Sequence, residues 1–468
     1  MQVLASWRPL DGQRCVNVSR MKVLVLCLGL ALLAGCSIYH SKPLTSEGVE
    51  RELAIPSEKA LQIAAVKIKH PTLRPVRIDL RDGVSPDEAA LLAVLLNPTL
   101  RADRDRKGLA AAQTVQAGVL PNPQISYGRD FVIGGNTADT ITAFGLSGSW
   151  DVTSLITLLP KMEAARANVR SVDLDVAWTE WQSAQAARLA AYRVAALEAQ
   201  LAAAREADTA LRQNVETLQR AVNTHDRTVL DLAAAQSTSQ DAHLTTLNVE
   251  QELARQKLEL NRAMGLPATA TVRVQDVTLP SELDVPAASG LLAGLEDRRL
   301  DLLGLKQGYA SEDANLCAAI LAQFPKISLG FNRATDTSNV QTLGFGVTVD
   351  IPIFDRNQGN IATERATRQK LFDEYTDRVF QARADVVTAL SDIRLLNLQI
   401  AEAERAVPAL EKMLATAQSA LAQGNADVIS FYQARYDLIL RRIEVIKLKQ
   451  QLIEAHIALE IAAGCYLS

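Results

Sequence analysis

Few residues in this chain have the type and spacing to do chemistry, and Cys36 comes first. It directly follows Leu33-Ala34-Gly35, at the end of the apolar run VLVLCLGLALLAG at 23–35, which Arg20 and Lys22 precede. Thirteen residues rise about 20 Å as a helix, short of the roughly 30 Å hydrocarbon core of a bilayer, so the run reads as a secretion-signal core and not as an anchor helix. Leu33-Ala34-Gly35-Cys36 resembles a lipobox, after which cleavage leaves the cysteine as the first mature residue, with a lipid on its sulfur. Ser37 then stands second, where an aspartate would retain the protein at the inner membrane, so the outer membrane is the expected destination. Met21 is the expected start, and 1–35 are assigned to the signal peptide.

Other reactive groups form no pattern. Cys317 and Cys465 are the only thiols left in the mature chain, and with no framework spacing a disulfide between them stays open without being required. His40, His70, His225, His243 and His456 show no ligand spacing, and there is no CxxC, HExxH or glycine-rich phosphate loop. No nucleophile–base pair or carboxylate pair can be singled out, so the chain is expected not to be an enzyme and to use no metal or cofactor. Net charge is −4 over 468 residues, and the densest basic stretch, RADRDRKG at 101–108, is interleaved with Asp103 and Asp105. A phosphate-binding face is therefore not expected, nor is nucleic acid as a partner.

The elements behind these residues are organised as an internal echo. PQISYGR at 123–129 returns as PKISLGF at 325–331, an offset of 202, and GLSGSWDV at 145–152 meets GFGVTVDI at 344–351. Met264-Gly265 and Ala463-Gly464 close the two halves at similar positions. Two tandem units are predicted, 84–267 and 292–468, joined by 268–291 and preceded by a lipidated segment at 36–83. Each reads helix, strand, strand, long helix, turn, long helix. Predicted strands lie at 123–133, 141–152, 325–333 and 341–351, with helical hairpins at 161–265 and 361–464. Apolar residues such as Ile125, Tyr127, Phe144, Leu146, Leu329, Phe331, Phe345 and Val347 alternate with Ser, Gly, Thr and Asp, while Arg129 breaks the pattern. Such strands suit a transmembrane barrel wall, although the alternation alone also fits a soluble sheet with one buried face. Four strands cannot close a barrel, and lipid does not tolerate an open edge, so several chains would have to share one. The helical run 161–222 is about 93 Å long, with mixed three- and four-residue apolar steps that suit coiled-coil packing.

LPNPQIS at 120–126, VDIPIFDRNQGN at 349–360 and AQGNADVISFYQAR at 422–435, in this two-unit layout, resemble the TolC family of outer-membrane efflux proteins, most closely its CzcC-like heavy-metal subgroup. The resemblance implies a mainly α fold with a transmembrane β part. It further implies a homotrimer with a 12-stranded β-barrel continued by a 12-helix periplasmic α-barrel, meeting outer-membrane lipid, a periplasmic adaptor (membrane fusion) protein and an inner-membrane pump. The activity implied is that of a passive exit duct in a tripartite RND-type efflux system, with heavy-metal cations as one cargo class and drugs or solvents as the other. Pro352, and more loosely Pro160, would mark strand-to-helix transitions. Gly424 and Thr224 would lie at the helix turns of the periplasmic tip. Asp226, Asp231, Asp427, Ser430 and Gln433 would lie near the aperture, where threefold carboxylates could attract cations or serve simply as helix caps. A periplasmic adaptor or a structural coiled-coil lipoprotein is the alternative. Adaptors usually carry one hairpin, whereas this chain reads as two, each preceded by its own strand pair.

Overall fold

The computed structural model describes residues 39–135, 138–423 and 428–467. The chain divides into two units, Met1–Ala54 and Ile55–Ser468. The described part of the first holds one helix, α1 (Ser46–Leu53), started by Thr45, whose hydroxyl accepts from the Gly48 N–H. The signal peptide and Cys36 lie outside the described residues.

The second unit runs α2 (Glu58–Lys67), α3 (Pro86–Leu96), α4 (Pro98–Ala117), β1 (Gln124–Asp130), β2 (Ala143–Asp151), α5 (Ser154–Asn223) and α6 (Val229–Ala263), followed by α7 (Ala288–Leu292), α8 (Leu295–Arg298), α9 (Leu300–Leu321), β3 (Lys326–Thr335), β4 (Gln341–Asp350), α10 (Gln358–Ala422) and α11 (Val428–Ala463). Two helices set its length: α5 has 70 residues and α10 has 65, about 105 Å and 98 Å at 1.5 Å per residue. α6 and α11 are about half as long and fold back along the distal halves of α5 and α10. The proximal halves are covered instead by α4 and α9, so a section through either half cuts four helices. Alanine makes the close contact feasible: Ala164, Ala167, Ala184, Ala187, Ala191 and Ala204 of α5 are buried, and small side chains let backbones approach with little rotamer entropy lost.

Local sequence explains the ends of these elements. Ser85 and Glu88 form a reciprocal capping box at the start of α3, and the buried Glu88 carboxylate also accepts from the Asp79 N–H at 2.6 Å. Asn97 caps α4 through Thr99 N–H, with Pro98 at the first helical position. The glycines that close α6 and α11 have a specific task. Gly265 and Gly464 take φ of +74° and +72°, and a Cβ on Gly265 would lie 2.6 Å from Asn97 N, one on Gly464 2.8 Å from Arg299 Cγ. Each hairpin therefore returns to the residue that opens α4 or α9, at a contact only glycine permits.

The helical hairpins begin earlier than the sequence suggests, at Ser154 and Gln358 and not at 161 and 361. Pro160 accordingly lies inside α5 and not at the strand junction. Its missing N–H removes one helical hydrogen bond, a loss that the packing of so long a helix against its neighbours outweighs. Midway along the helices lies a second layer. Leu61, Ile78, Val84 and Val274 pack on α5 around Val194 and on α6 around Leu253, and a parallel bridge joins Val84 to Val274. Leu283, Leu291 and Leu295 pack in the same way on Val386 and Ile393 of α10 and Leu452 of α11.

Candidate functional site

The four strands form one antiparallel sheet in the order β1-β2-β3-β4. β1 pairs with β2 (Tyr127 opposite Leu146) and β3 with β4 (Leu329 opposite Val347). β2 also pairs with β3, Trp150 opposite Leu329 and Leu146 opposite Arg333, which joins the halves of the chain through strands far apart in sequence. Residues directly opposite share a face, so the register aligns all four alternations. One face carries Ile125, Tyr127, Phe144, Leu146, Trp150, Leu329, Phe331, Leu343, Phe345, Val347 and Val349; the other carries Ser126, Gly128, Gly145, Ser147, Ser328, Asn332, Gly344, Gly346 and Thr348. Much of the apolar face is bare, with Phe345 84% and Leu343 67% exposed. Gly148 is the one gap in it, and the Phe331 ring fills the place where its Cβ would be. The two cationic residues on this face, Arg129 and Arg333, both lie toward the end with the hairpin loops, and the Arg129 guanidinium sits over the Phe131 ring at 5.7 Å. Charge is thus kept to the rim, within reach of water. Among the described residues, β1 and β4 each have one neighbour only, leaving two open edges.

At the opposite end the strands feed the helices. Trp150 donates its indole N–H to the Pro121 carbonyl at 2.9 Å, tying β2 to the approach to β1. Thr153 takes its N–H to Asp151 Oδ1 and its hydroxyl receives the Ile327 N–H. Pro352 follows the last residue of β4 by two positions, in the extended link before α10. The inward ends of the sheet therefore rest on hydrogen bonds made by residues between strand and helix.

The turn joining α5 to α6 lies at the far end of the helices. Thr224 donates its hydroxyl to Asp226 Oδ2 at 2.6 Å, His225 takes φ +64°, and Asp226 N–H returns to the Ala221 carbonyl at 2.8 Å. Asp231 forms a capping box with Thr228, its carboxylate accepting the Thr228 N–H at 3.1 Å. Both aspartates have local structural work, and both stand at the surface next to exposed Val229 and Leu230. On the other hairpin, Gly424 and Asp427 lie outside the described residues. Ser430 and Gln433 are exposed, Gln433 donating to Asp437 at 3.1 Å. Within this turn the positive φ belongs to His225, one residue after Thr224.

Midway along α5 are the buried polar groups. Glu460 accepts from Gln185 at 3.2 Å and from Leu467 N–H at 3.2 Å, and it pairs with Arg188 and with His456 at 3.4 Å. Burial opposes its charge, but His456 and Arg188 outweigh burial and hold the carboxyl below its usual range. His70 places Nε2 2.8 Å from the Ala177 carbonyl, so that nitrogen carries the proton, while Nδ1 accepts from Thr72 and Leu73 N–H. Burial lowers its pKa against the opposing pull of Ala177 and Glu180. Cys317 and Cys465 are free thiols. Among the described residues no three of His, Cys, Asp and Glu gather as metal ligands, and no helix is long and apolar enough to cross a membrane.

Residues 291–465 match the family model described as outer membrane efflux protein. The chain resembles that family over this segment. Its sequence is similar to the cation efflux system protein CusC of Escherichia coli K12, 25% identical over 96% of this chain and 100% of the relative. It is also similar to the pyoverdine export outer membrane protein OpmQ of Pseudomonas aeruginosa, 24% identical over 93% and 96%. A solved structure of CusC matches with a TM-score of 0.66 at 22% identity, covering 85% of this chain and 99% of that one, and so shares the fold. This efflux protein is an outer-membrane channel component and not an enzyme. Two features escaped sequence reasoning. The β2–β3 pairing has no local signal, whereas Gly148, a hole in an otherwise apolar alternation, pointed to a neighbouring side chain that fills it.

Proposed function

We propose that three chains close their sheets, β4 of one against β1 of the next, into a 12-stranded barrel in the outer membrane, continued by 12 helices through the periplasm. The protein is the passive exit duct of a tripartite RND-type efflux system. The observation that carries this reading is the largely exposed apolar face that spans all four strands, with its charge confined to one rim and an open edge on each side. Lipid covers such a face, and only closure removes such edges. The two units 84–267 and 292–468 are tandem copies, each supplying one strand pair and one helical hairpin to the wall, with 268–291 belted around its middle. Cys36 carries the lipid anchor. Lipid labelling that persists in Cys36→Ser would remove this assignment.

Metal cations are the proposed cargo, supported by the similarity to CusC along the whole chain and by the wording IPIFDRNQGN at 351–360. The duct is tested by conductance of the purified protein in a planar bilayer, where absence of channels overturns it. Cargo is tested separately by the inhibitory concentrations of metals and of organic toxicants in a deletion strain. Sensitisation to metals is expected; sensitisation to organic compounds alone would leave the duct standing and replace the cargo. At the tip, Asp226, Asp231 and Asp427 are proposed to ring the aperture while the first two also hold their turn. Unchanged cation selectivity in an Asp231→Asn, Asp427→Asn double variant sinks the ring.

A further inference from the structure

Between α2 and α3, residues 68–79 run over α5 with no regular secondary structure. Their inward side is apolar. Ile68 and Leu73 pack on Ala90, Val94 and Ala184, Val76 packs into the cluster around Val194, and Ile78 is fully buried. The His70 ring is tied to the Ala177 carbonyl of α5 at 2.8 Å. The outward side is cationic: Lys69, Arg74 and Arg77, with Lys67 just before them at the end of α2, are all exposed. A strap held down along one side therefore presents a fixed row of positive charge on the other, and Pro71 and Pro75 stiffen it by fixing φ.

That row has no counter-charge of its own. Among the described residues Lys67, Lys69, Arg74 and Arg77 make no ion pair, whereas Arg81, just beyond, is bound to Asp79 at 2.8 Å, and on α5 Arg188, Arg193 and Arg205 are paired with Glu460, Glu454 and Glu250. Arg74 lies over the Tyr466 ring at 4.4 Å, a contact that leaves its charge in place. Like charges this close in sequence repel one another, and an anionic partner turns that cost into attraction. The strap meets α5 at Ala177 and Ala184, about 35–45 Å along the helix from its start at the sheet, with more than half of α5 still to come.

The inference rests on the reading of the sheet as the part in the outer membrane. A shaft that continues about 100 Å from that membrane into the periplasm passes through the cell-wall mesh beneath it, and the peptides of that peptidoglycan carry free carboxylates. We propose that the strap at 67–77 binds peptidoglycan through those carboxylates, with Lys67, Lys69, Arg74 and Arg77 as the contacts, so that the wall holds the duct partway along its shaft. Arg74 and Arg77 can take a carboxylate with two parallel N–H donors, the lysines as point charges. Each contact is exposed and weak alone, and a fixed row makes them act together.

The test is co-sedimentation of the purified full-length protein, in detergent, with isolated peptidoglycan sacculi. Wild type is expected to pellet with the sacculi at about 50 mM NaCl and to be released by about 500 mM, where screening cuts the reach of a charge to roughly 4 Å. A Lys67→Gln, Lys69→Gln, Arg77→Gln triple variant is expected to lose about tenfold or more in apparent affinity. An Arg255→Gln, Lys370→Gln, Arg405→Gln variant, which removes the same charge from exposed helix faces, binds as wild type does. Sacculi whose carboxylates have been converted to amides hold no protein. Wild type that stays in the supernatant at low salt, equal loss in the two triple variants, or unchanged binding to amidated sacculi overturns the proposal. So does loss of the trimer on gel filtration in the strap variant, which would assign these cations to a contact between subunits, and so does capture by phosphatidylglycerol vesicles without capture by sacculi. Pelleting is read independently of conductance: wild type that pellets but forms no channels removes the duct and keeps the strap, and wild type that conducts but does not pellet does the reverse.

Discussion

Glu460 is 1% exposed and keeps its charge because three groups on α5 and α11 and one C-terminal N–H surround it. Removing one partner of such a buried pair strands the other, at a cost of about 3–5 kcal/mol. Arg188→Met is expected to destabilise the detergent-solubilised protein by that amount in chemical denaturation, while Arg51→Ala, whose pair with Glu47 is exposed, changes little. His70 gives the pH counterpart. Its folded pKa lies below the ordinary imidazole value of 6.5 because burial disfavours the charged ring, so the unfolded chain takes up a proton that the folded one resists. Stability from His70 is present above about 6.5 and is lost as pH falls through the lower folded pKa. A His70→Gln variant is expected to show a flatter unfolding midpoint between pH 7 and 5 than wild type.

At the scale of elements, the two faces of the sheet predict opposite responses to the same charge. Val347 lies on the apolar face and Thr348 on the polar one, at mid-strand. Val347→Lys is expected to cost about 2–4 kcal/mol of membrane stability and to reduce outer-membrane yield, whereas Thr348→Lys inserts normally and shifts single-channel selectivity toward anions. Equal yields for the two variants would count against lipid on the apolar face. The strands were legible in the sequence because lipid and water impose a period of two over each of them. Helix starts were less so: Pro160 suggested a boundary, yet α5 begins six residues before it, since tertiary packing overrides one lost hydrogen bond.

At the scale of the molecule, the proposed trimer makes the four helices per section and four strands of one chain one-third of a closed wall. The trimer is expected to survive detergent extraction and to run as a slow band on a gel until heated, when it collapses to the single-chain position. A species that runs as one chain before heating argues for an adaptor-like monomer. The 202-residue echo suggests the tandem layout, whereas nothing in the sequence signals the cross-pairing of β2 with β3, since strand pairing depends on which edges meet and not on spelling. That cross-pairing also dictates an order of assembly. β2 ends at Asp151 and its partner β3 starts at Lys326, so the first hairpin is synthesised well before its neighbour. Until then both of its flanks are unsatisfied, a state prone to mispairing. Only once β3 has paired with β2 does the sheet hold two edges, β1 and β4, to meet the sister subunits of the proposed trimer.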